Sequence, residues 1–286
     1  MALTGKYEKW AATNQCKSGI GRKCWPNLGT VSITAPPIGL EIRRHLREST
    51  RLFVLLAGSS MAINWQAFWL TLRLAVIVSA ALFVIGLPIA YWVAFSRARW
   101  KFLVEAIVAL PIVLPPTVLG FYVLVALGPR SPLGRWWIAL TGHTLAFTFW
   151  GLVIGSILYS LPFAVQPFAA SFAAVDRKLI LASATLGASH LRTFFRVIAP
   201  LSIPGLITGA ALSFAHTMGE FGVVLMVGGN IPGVTRTVSI DIYDRVQASD
   251  YSGANATAVL LLAICFVLLA IVYGTNRRAW AVKPVE

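Results

Sequence analysis

Residues 74–96 read LAVIVSAALFVIGLPIAYWVAFS, a run without a single charge between Arg73 and Arg97. A helix needs about 20 mostly apolar residues to cross the roughly 30 Å of hydrocarbon in a bilayer. This run is therefore a membrane-spanning helix, and the same arithmetic repeats along the chain. Glu105 and Arg130 enclose residues 106–129. Arg135 and Asp176 enclose a longer stretch whose span is 143–168. Arg196 and Glu220 enclose 197–219, and Asp250 and Arg277 enclose 251–276. All five are helices, because an open strand edge in lipid leaves its backbone polar groups unsatisfied. The expected fold is all-α: a polytopic membrane bundle of about five transmembrane helices.

Composition agrees. Of 286 residues, 57% are hydrophobic and 12% charged, with mean hydropathy +0.76. Soluble domains carry about 25% charged residues, so an ordinary soluble enzyme or secreted domain is excluded. Lys and Arg number 24 against 10 Asp and Glu, a net charge of +14. The basic residues cluster in short segments between apolar runs. They point to membrane orientation and anionic lipid, not to nucleic acid. Cys16 and Cys24 have a poor zinc spacing and Cys265 lies in an apolar run, so no redox or metal role is assigned.

Five spans put the termini on opposite sides. One set of loops holds ten basic residues: Arg97, Arg99, Lys101, Arg177, Lys178, Arg192, Arg196, Arg277, Arg278 and Lys283. The other holds five: Arg73, Arg130, Arg135, Arg236 and Arg245. Basic residues mark the cytoplasmic side, which places the C-terminus inside. Residues 1–60 do not fit. Their nine basic residues would lie outside, and they lack the apolar core and cleavage site of a signal peptide. Two readings stand: a start at Met61 with 1–60 as an upstream reading-frame artefact or disordered tail, or a genuine exposed extension. The membrane domain is then 61–286.

The segment 176–200, VDRKLILASATLGASHLRTFFRVIAP from residue 175, is the informative loop. Leu179, Ala182 and Leu186, then Leu191, Phe194 and Phe195, recur at helical spacing around Gly187. The pattern predicts a helix, a break and a second short helix on the cytoplasmic surface. An interfacial amphipathic helix explains the periodicity equally well.

Here the chain resembles the membrane subunits of ABC importers. Their cytoplasmic loop carries EAA-x3-G-x9-I-x-L-P and docks as a coupling helix on the ATPase subunit. The matching residues are Leu181-Ala182-Ser183, Gly187, Val197, Ala199 and Pro200. The Gly-to-Pro spacing is kept, while Leu181 replaces the acidic residue. The resemblance implies that Ala182, Ser183, Gly187, Ala188, His190 and Leu191 form the ATPase-coupling loop. A second block, GEFG at 219–222 with NIPG and TRT at 230–237, is similar to molybdate permeases, with tungstate and sulfate relatives nearby. LPIVLPP at 110–116, followed by Val118, Gly120 and Tyr122, resembles the same proteins.

The resemblance implies a bacterial inner-membrane permease subunit that works as a homodimer. Its implied partners are two ABC ATPase subunits inside and an extracytoplasmic molybdate-binding protein outside. Molybdate is the first-ranked substrate and tungstate or sulfate the alternative. ATP is used by the partner, and no cofactor is expected on this chain. No G-x4-G-K-[ST] loop, H-E-x-x-H, G-x-S-x-G or metal-ligand cluster occurs, so no catalytic residue is assigned and the chain is not expected to be an enzyme. An ion-coupled secondary transporter is the rival, but the buried ionisable relays and internal repeats common in such proteins are missing.

A weakly polar path is expected from Thr117, Ser156, Ser160, Thr208, Ser213, His216 and Thr217. His216 reads as a pore ligand or as a hydrogen-bonded packing residue. Glu220, flanked by Gly219 and Gly222, reads as a gate or turn residue at the outer mouth, or as a helix end with its carboxylate in water. As a negative charge it is a poor oxyanion ligand, so it is expected to pair with re-entrant backbone or Arg236. The glycine-rich run 221–233 is too short to span and predicts a re-entrant or surface loop. Pro111, Pro115, Pro116, Pro162 and Pro167 predict kinks in the second and third helices. Amino-terminal sequencing of the native protein is expected to read from near Met61; a chain beginning near Met1 removes that reading.

Overall fold

The computed structural model describes residues 63–280, with side chains described through residue 274. The amino-terminal extension, Cys16, Cys24, Met61 and Lys283 lie outside the described residues. Among the described residues every regular element is helical.

Helix α1 spans Trp65–Phe95. It starts nine residues before the uncharged run because Asn64 caps it, its side-chain oxygen accepting the Ala67 amide at 3.1 Å. Arg73 sits inside the helix on an exposed face, its guanidinium carbon 4.9 Å from the Phe149 ring centroid. The charge gap marked apolar depth, whereas the cap marks the helix end.

The expected second span is broken. Helices α2 (Lys101–Val113) and α3 (Pro116–Leu127) meet at 111°. Pro115 and Pro116 donate no amide, and Leu114, preceding proline, is extended at ψ 137. The connector after it holds a helix of its own, α4 (Pro132–Thr141), capped by Ser131 and ended by left-handed Gly142. Helix α5 (Phe149–Ala173) is capped by Thr148, so its start falls later than residue 143. Pro162 and Pro167 lie inside this one continuous helix; the measured break is at Leu114–Pro115.

Helix α6 (Arg177–Thr185) ends at Gly187, whose φ is +75. The predicted second short helix is instead the start of a membrane-spanning one. Helix α7 runs His190–Gly219, with a π turn at Phe194–Ile198. Helix α8 (Gly222–Gly228) follows a two-residue break at Glu220 and Phe221, then come α9 (Val238–Gln247) and α10 (Tyr251–Trp280). Four helices, α1, α5, α7 and α10, are long and apolar enough to cross a membrane, and the bent pair makes a fifth candidate.

Two cores organise the bundle. The larger joins Leu74, Val78 and Leu82 of α1, Phe168 and Phe172 of α5, and Ile198 and Leu206 of α7. Lipid is as apolar as leucine, so helices in it associate through close packing. Two small-xxx-small pairs, Gly205–Gly209 and Gly151–Gly155, serve this purpose within the chain. A Cβ on Gly209 would lie 2.6 Å from the Phe168 ring, and Gly205 sits against Ser171. Gly151 lies against the Leu145 carbonyl, and a Gly155 Cβ would come 3.0 Å from Val223. The second core joins Val123 and Leu127 of α3, Leu145 and Ala146 of the loop, and Val223 and Val227 of α8. The Phe147 amide donates to the Val227 carbonyl at 2.9 Å, fastening loop to α8.

A polar clasp closes the α1 start. Asn64 donates to Asp241 at 2.9 Å, and Arg245 donates to Asp241 at 2.8 Å and to Asp250 at 3.1 Å. Thr71 accepts the Val238 amide at 2.9 Å. The Asp241 contact holds the Arg245 guanidinium above its usual range. The Gly253 amide, accepted by Asp250 at 3.0 Å, holds that carboxyl below its usual range and caps α10.

Gly209→Leu forces a side chain into the Phe168 ring, and overpacking of this kind costs about 1–3 kcal/mol. The detergent-solubilised protein is expected to melt several degrees lower, and an unchanged Tm counts against this helix contact.

Candidate functional site: a hollow at the loop and a pocket between helices

Two places gather the residues singled out from the sequence. The first is the turn between α6 and α7. Asp176 caps α6, its carboxylate accepting the Lys178 amide at 2.8 Å, and Ser189 caps α7, accepting the Arg192 amide at 3.3 Å. Gly187 between them needs its left-handed backbone, and a Cβ there would meet nothing. Ser183 and Thr193 hydroxyls bond at 2.8 Å and tie the two helices across the turn. Ala182, Ser183 and Ala188 line a hollow of about 420 Å³ with Leu179, Leu186 and Arg192. His190 and Leu191 are exposed on its α7 flank, and Gly187 at its tip. Leu186 is 87% exposed, the barest large apolar side chain among the described residues. Helical periodicity placed it on the apolar face of a surface helix, and the structure leaves that side chain bare.

The second place is a cavity of about 540 Å³ where α3, α5, α7 and α8 meet. Thr117 lines it from α3, Tyr159 from α5, His216 from α7 and Glu220 from the break before α8. Phe221 and Leu225 complete an apolar wall. Ser160 is buried behind it and bonds both His216 Nδ1 at 2.9 Å and Thr217 Oγ1 at 3.0 Å. The Thr217 hydroxyl already donates to the Ser213 carbonyl at 2.8 Å. Each hydroxyl has one proton, so Ser160 donates to Thr217 and His216 Nδ1–H donates to Ser160. The His216 ring stacks on Phe163 at 4.0 Å and tilts against Tyr159 at 4.8 Å. Both the hydrogen bond and the aromatic clamp fix its orientation. Tyr159 and Phe163 were not singled out from the sequence, because aromatic residues at helical spacing look like ordinary core.

Not every expected path residue joins the cavity. The Ser213 hydroxyl donates back to the Ala210 carbonyl at 3.0 Å and is buried. The Thr208 hydroxyl donates to Pro204 O at 2.8 Å, and eight residues of helix separate it from His216, about 12 Å. Glu220 departs from expectation. It is 4% exposed, and neither carboxylate oxygen has a hydrogen-bond partner. Ser156 approaches from α5, but its hydroxyl is likewise unpartnered. Arg236 does not reach the carboxylate: it donates to Asn230 at 2.6 Å and lies 3.6 Å from Asp244. The reading of Glu220 as a solvated helix end is therefore corrected, as is its pairing with Arg236. The cause is the α7–α8 break, which turns the side chain inward beneath α3.

Among the described residues, a wholly helical bundle with four helices long and apolar enough to cross a membrane, a broken helix pair and a pocket between helices is the architecture of a multi-pass membrane protein. Residues 86–280 match the family described as the binding-protein-dependent transport system inner membrane component. The chain belongs to this family. It is 50% identical over 211 residues to the molybdenum transport system permease protein ModB of Azotobacter vinelandii, covering 74% of this chain and 93% of that one. Identity to the ModB protein of Escherichia coli K12 is 35% over 213 residues, covering 73% and 91%. The fold is also similar to an inward-facing MetNI methionine ABC transporter structure, with TM-score 0.60, 19% identity, and coverage of 77% and 98%.

Gly187 tests the first place. A β-branched residue at φ +75 costs about 1–3 kcal/mol in backbone strain, whereas Asn tolerates that region. Gly187→Val is expected to abolish most transport while the bundle still folds, with a Tm a few degrees lower, and Gly187→Asn to retain more transport. Equal uptake by both variants and wild type counts against a docking role for this turn.

Proposed function

We propose that this chain is the membrane-spanning subunit of an ABC importer for molybdate. The observation that carries the substrate is the half-identity to the Azotobacter molybdenum permease across nearly all of that protein's length. Family membership supports a binding protein on the outer side, because transport in this family depends on one. The ten-to-five bias of basic residues supports the turn at Gly187 and the C-terminus on the cytoplasmic side.

In this reading two copies of the chain pair in the membrane. Each presents Leu186, Leu191 and the hollow around Ala182, Ser183, Gly187 and Ala188 to an ATPase subunit. Exposed leucines rimmed by Arg192 and Arg196 suit a protein partner with an apolar groove and acidic edge. ATP hydrolysis belongs to that partner. Movement of α6 passes through the Ser183–Thr193 bond into α7, and α7 carries it to the cavity at His216 and Glu220. The path is weakly polar because an importer's membrane subunit must release its cargo; tight capture falls to the external binding protein.

Proteoliposomes holding this chain, its ATPase and its binding protein test the reading. Molybdate uptake is expected to require ATP, with tungstate competing at similar concentrations and sulfate more weakly. Uptake that runs on a proton gradient without ATP overturns it.

A further inference from the structure

The cavity holds an acidic side chain that has no charged partner among the described residues. Glu220 is buried, both its oxygens lack a partner, and it lines a space of about 540 Å³. The groups facing it are few. From α5 come Tyr159 and the Ser156 hydroxyl; from α7 comes His216, whose Nδ1–H is committed to Ser160. From α3 come Pro116 and Thr117, and from α8 Gly222, Leu225 and Met226, with no charge on either. Among the described residues no Lys or Arg lines the cavity. An isolated carboxylate in such surroundings is penalised so strongly that real groups hold a proton instead. A carboxylic acid has an O–H, and so changes from an acceptor-only group into a donor.

We propose that this cavity is a transit subsite for a tetrahedral oxyanion, in which Glu220 holds a proton and donates its O–H to the anion. The inference rests on the oxyanion-importer reading above and deepens it. Thr117 and Tyr159 hydroxyls offer further donors from the opposite walls. The set is neutral throughout, so the anion meets hydrogen bonds but no opposite charge and is not retained. Loss of the Glu220 proton puts a negative charge in the path of a dianion and closes it electrostatically.

The test uses the whole complex in proteoliposomes, with uptake of labelled molybdate followed from about pH 6 to about pH 9, the range that brackets loss of such a proton. Wild-type uptake is expected to fall as pH rises. Glu220→Gln keeps a donor without a titrating group and is expected to give a flat profile with at least half the low-pH rate. Glu220→Ala is expected to give a flat profile about tenfold below the wild-type rate at low pH, the worth of one hydrogen bond to a charged group, with complex assembly intact. A pH dependence that survives in Glu220→Gln but disappears in His216→Asn assigns the titration to His216 and overturns the proposal, as does an assembled but inactive Gln variant. Infrared spectroscopy of the unliganded complex gives a readout independent of transport. A protonated-carboxyl band lost in Glu220→Gln is expected, and its absence in wild type overturns the proposal. If wild-type complex moves no molybdate at any pH, the oxyanion reading itself fails, and the subsite with it.

Discussion

Lipid offers no hydrogen bonds, so every polar atom placed within the bundle must find its partner inside the protein. Most of this chain obeys that constraint closely. Thr71, Ser160, Thr208, Ser213 and Thr217 all bond to carbonyls, amides or each other. The His216–Ser160–Thr217–Ser213 chain has a single consistent direction of donation and ends on a helix carbonyl. Among the described residues the buried side-chain oxygens without a partner are the hydroxyls of Ser79, Ser156, Thr237 and Ser239 and both oxygens of Glu220, and Glu220 differs from the rest in being a carboxyl group. The helices that surround it supply shape but no polar partner, and that mismatch marks the cavity as something other than packing.

The two hydrophobic cores give the cavity its mechanical setting. Core one holds α1, α5 and α7 rigid through glycine-mediated contact. Core two fastens α3 and α8 together, with Pro116 seated on Gly222 and Met226 on Gly120. The two are linked by the Leu114–Pro115 corner and the Glu220 break. The cavity lies along that seam, where sliding of one core over the other would change its width. Helix α7 reaches from the Gly187 turn to the seam without interruption, so both places of interest sit on the ends of one helix.

The sequence told much of this in advance, and its silences have physical causes. Uncharged length located the apolar core of every candidate span, since a charge near the bilayer centre is costly. It did not locate helix ends, because Arg73 reaches out from inside α1 and Asn64 does the capping. It read residues 106–129 as one helix, although consecutive prolines cannot continue a hydrogen-bond ladder. Gly187 was legible because only glycine sits easily at its φ. The partners of Glu220 were not, because whether Arg236 reaches it depends on where α9 packs. Nor was the continuity of residues 190–219, which rests on a wide turn that leaves no compositional trace. The Tyr159–His216–Phe163 stack joins residues far apart in the chain, and nothing local distinguishes its aromatics from lipid-facing ones.

That wide turn at Phe194–Ile198 has an effect on angular phase. A π turn accommodates one residue more than an α turn, and each residue of an α-helix advances its direction by about 100°. The face of α7 that meets α6 and the face that carries His216 are thus aligned by one inserted position. Removing a single residue there would leave both ends helical yet aim them at different neighbours, a failure of gearing with no loss of parts.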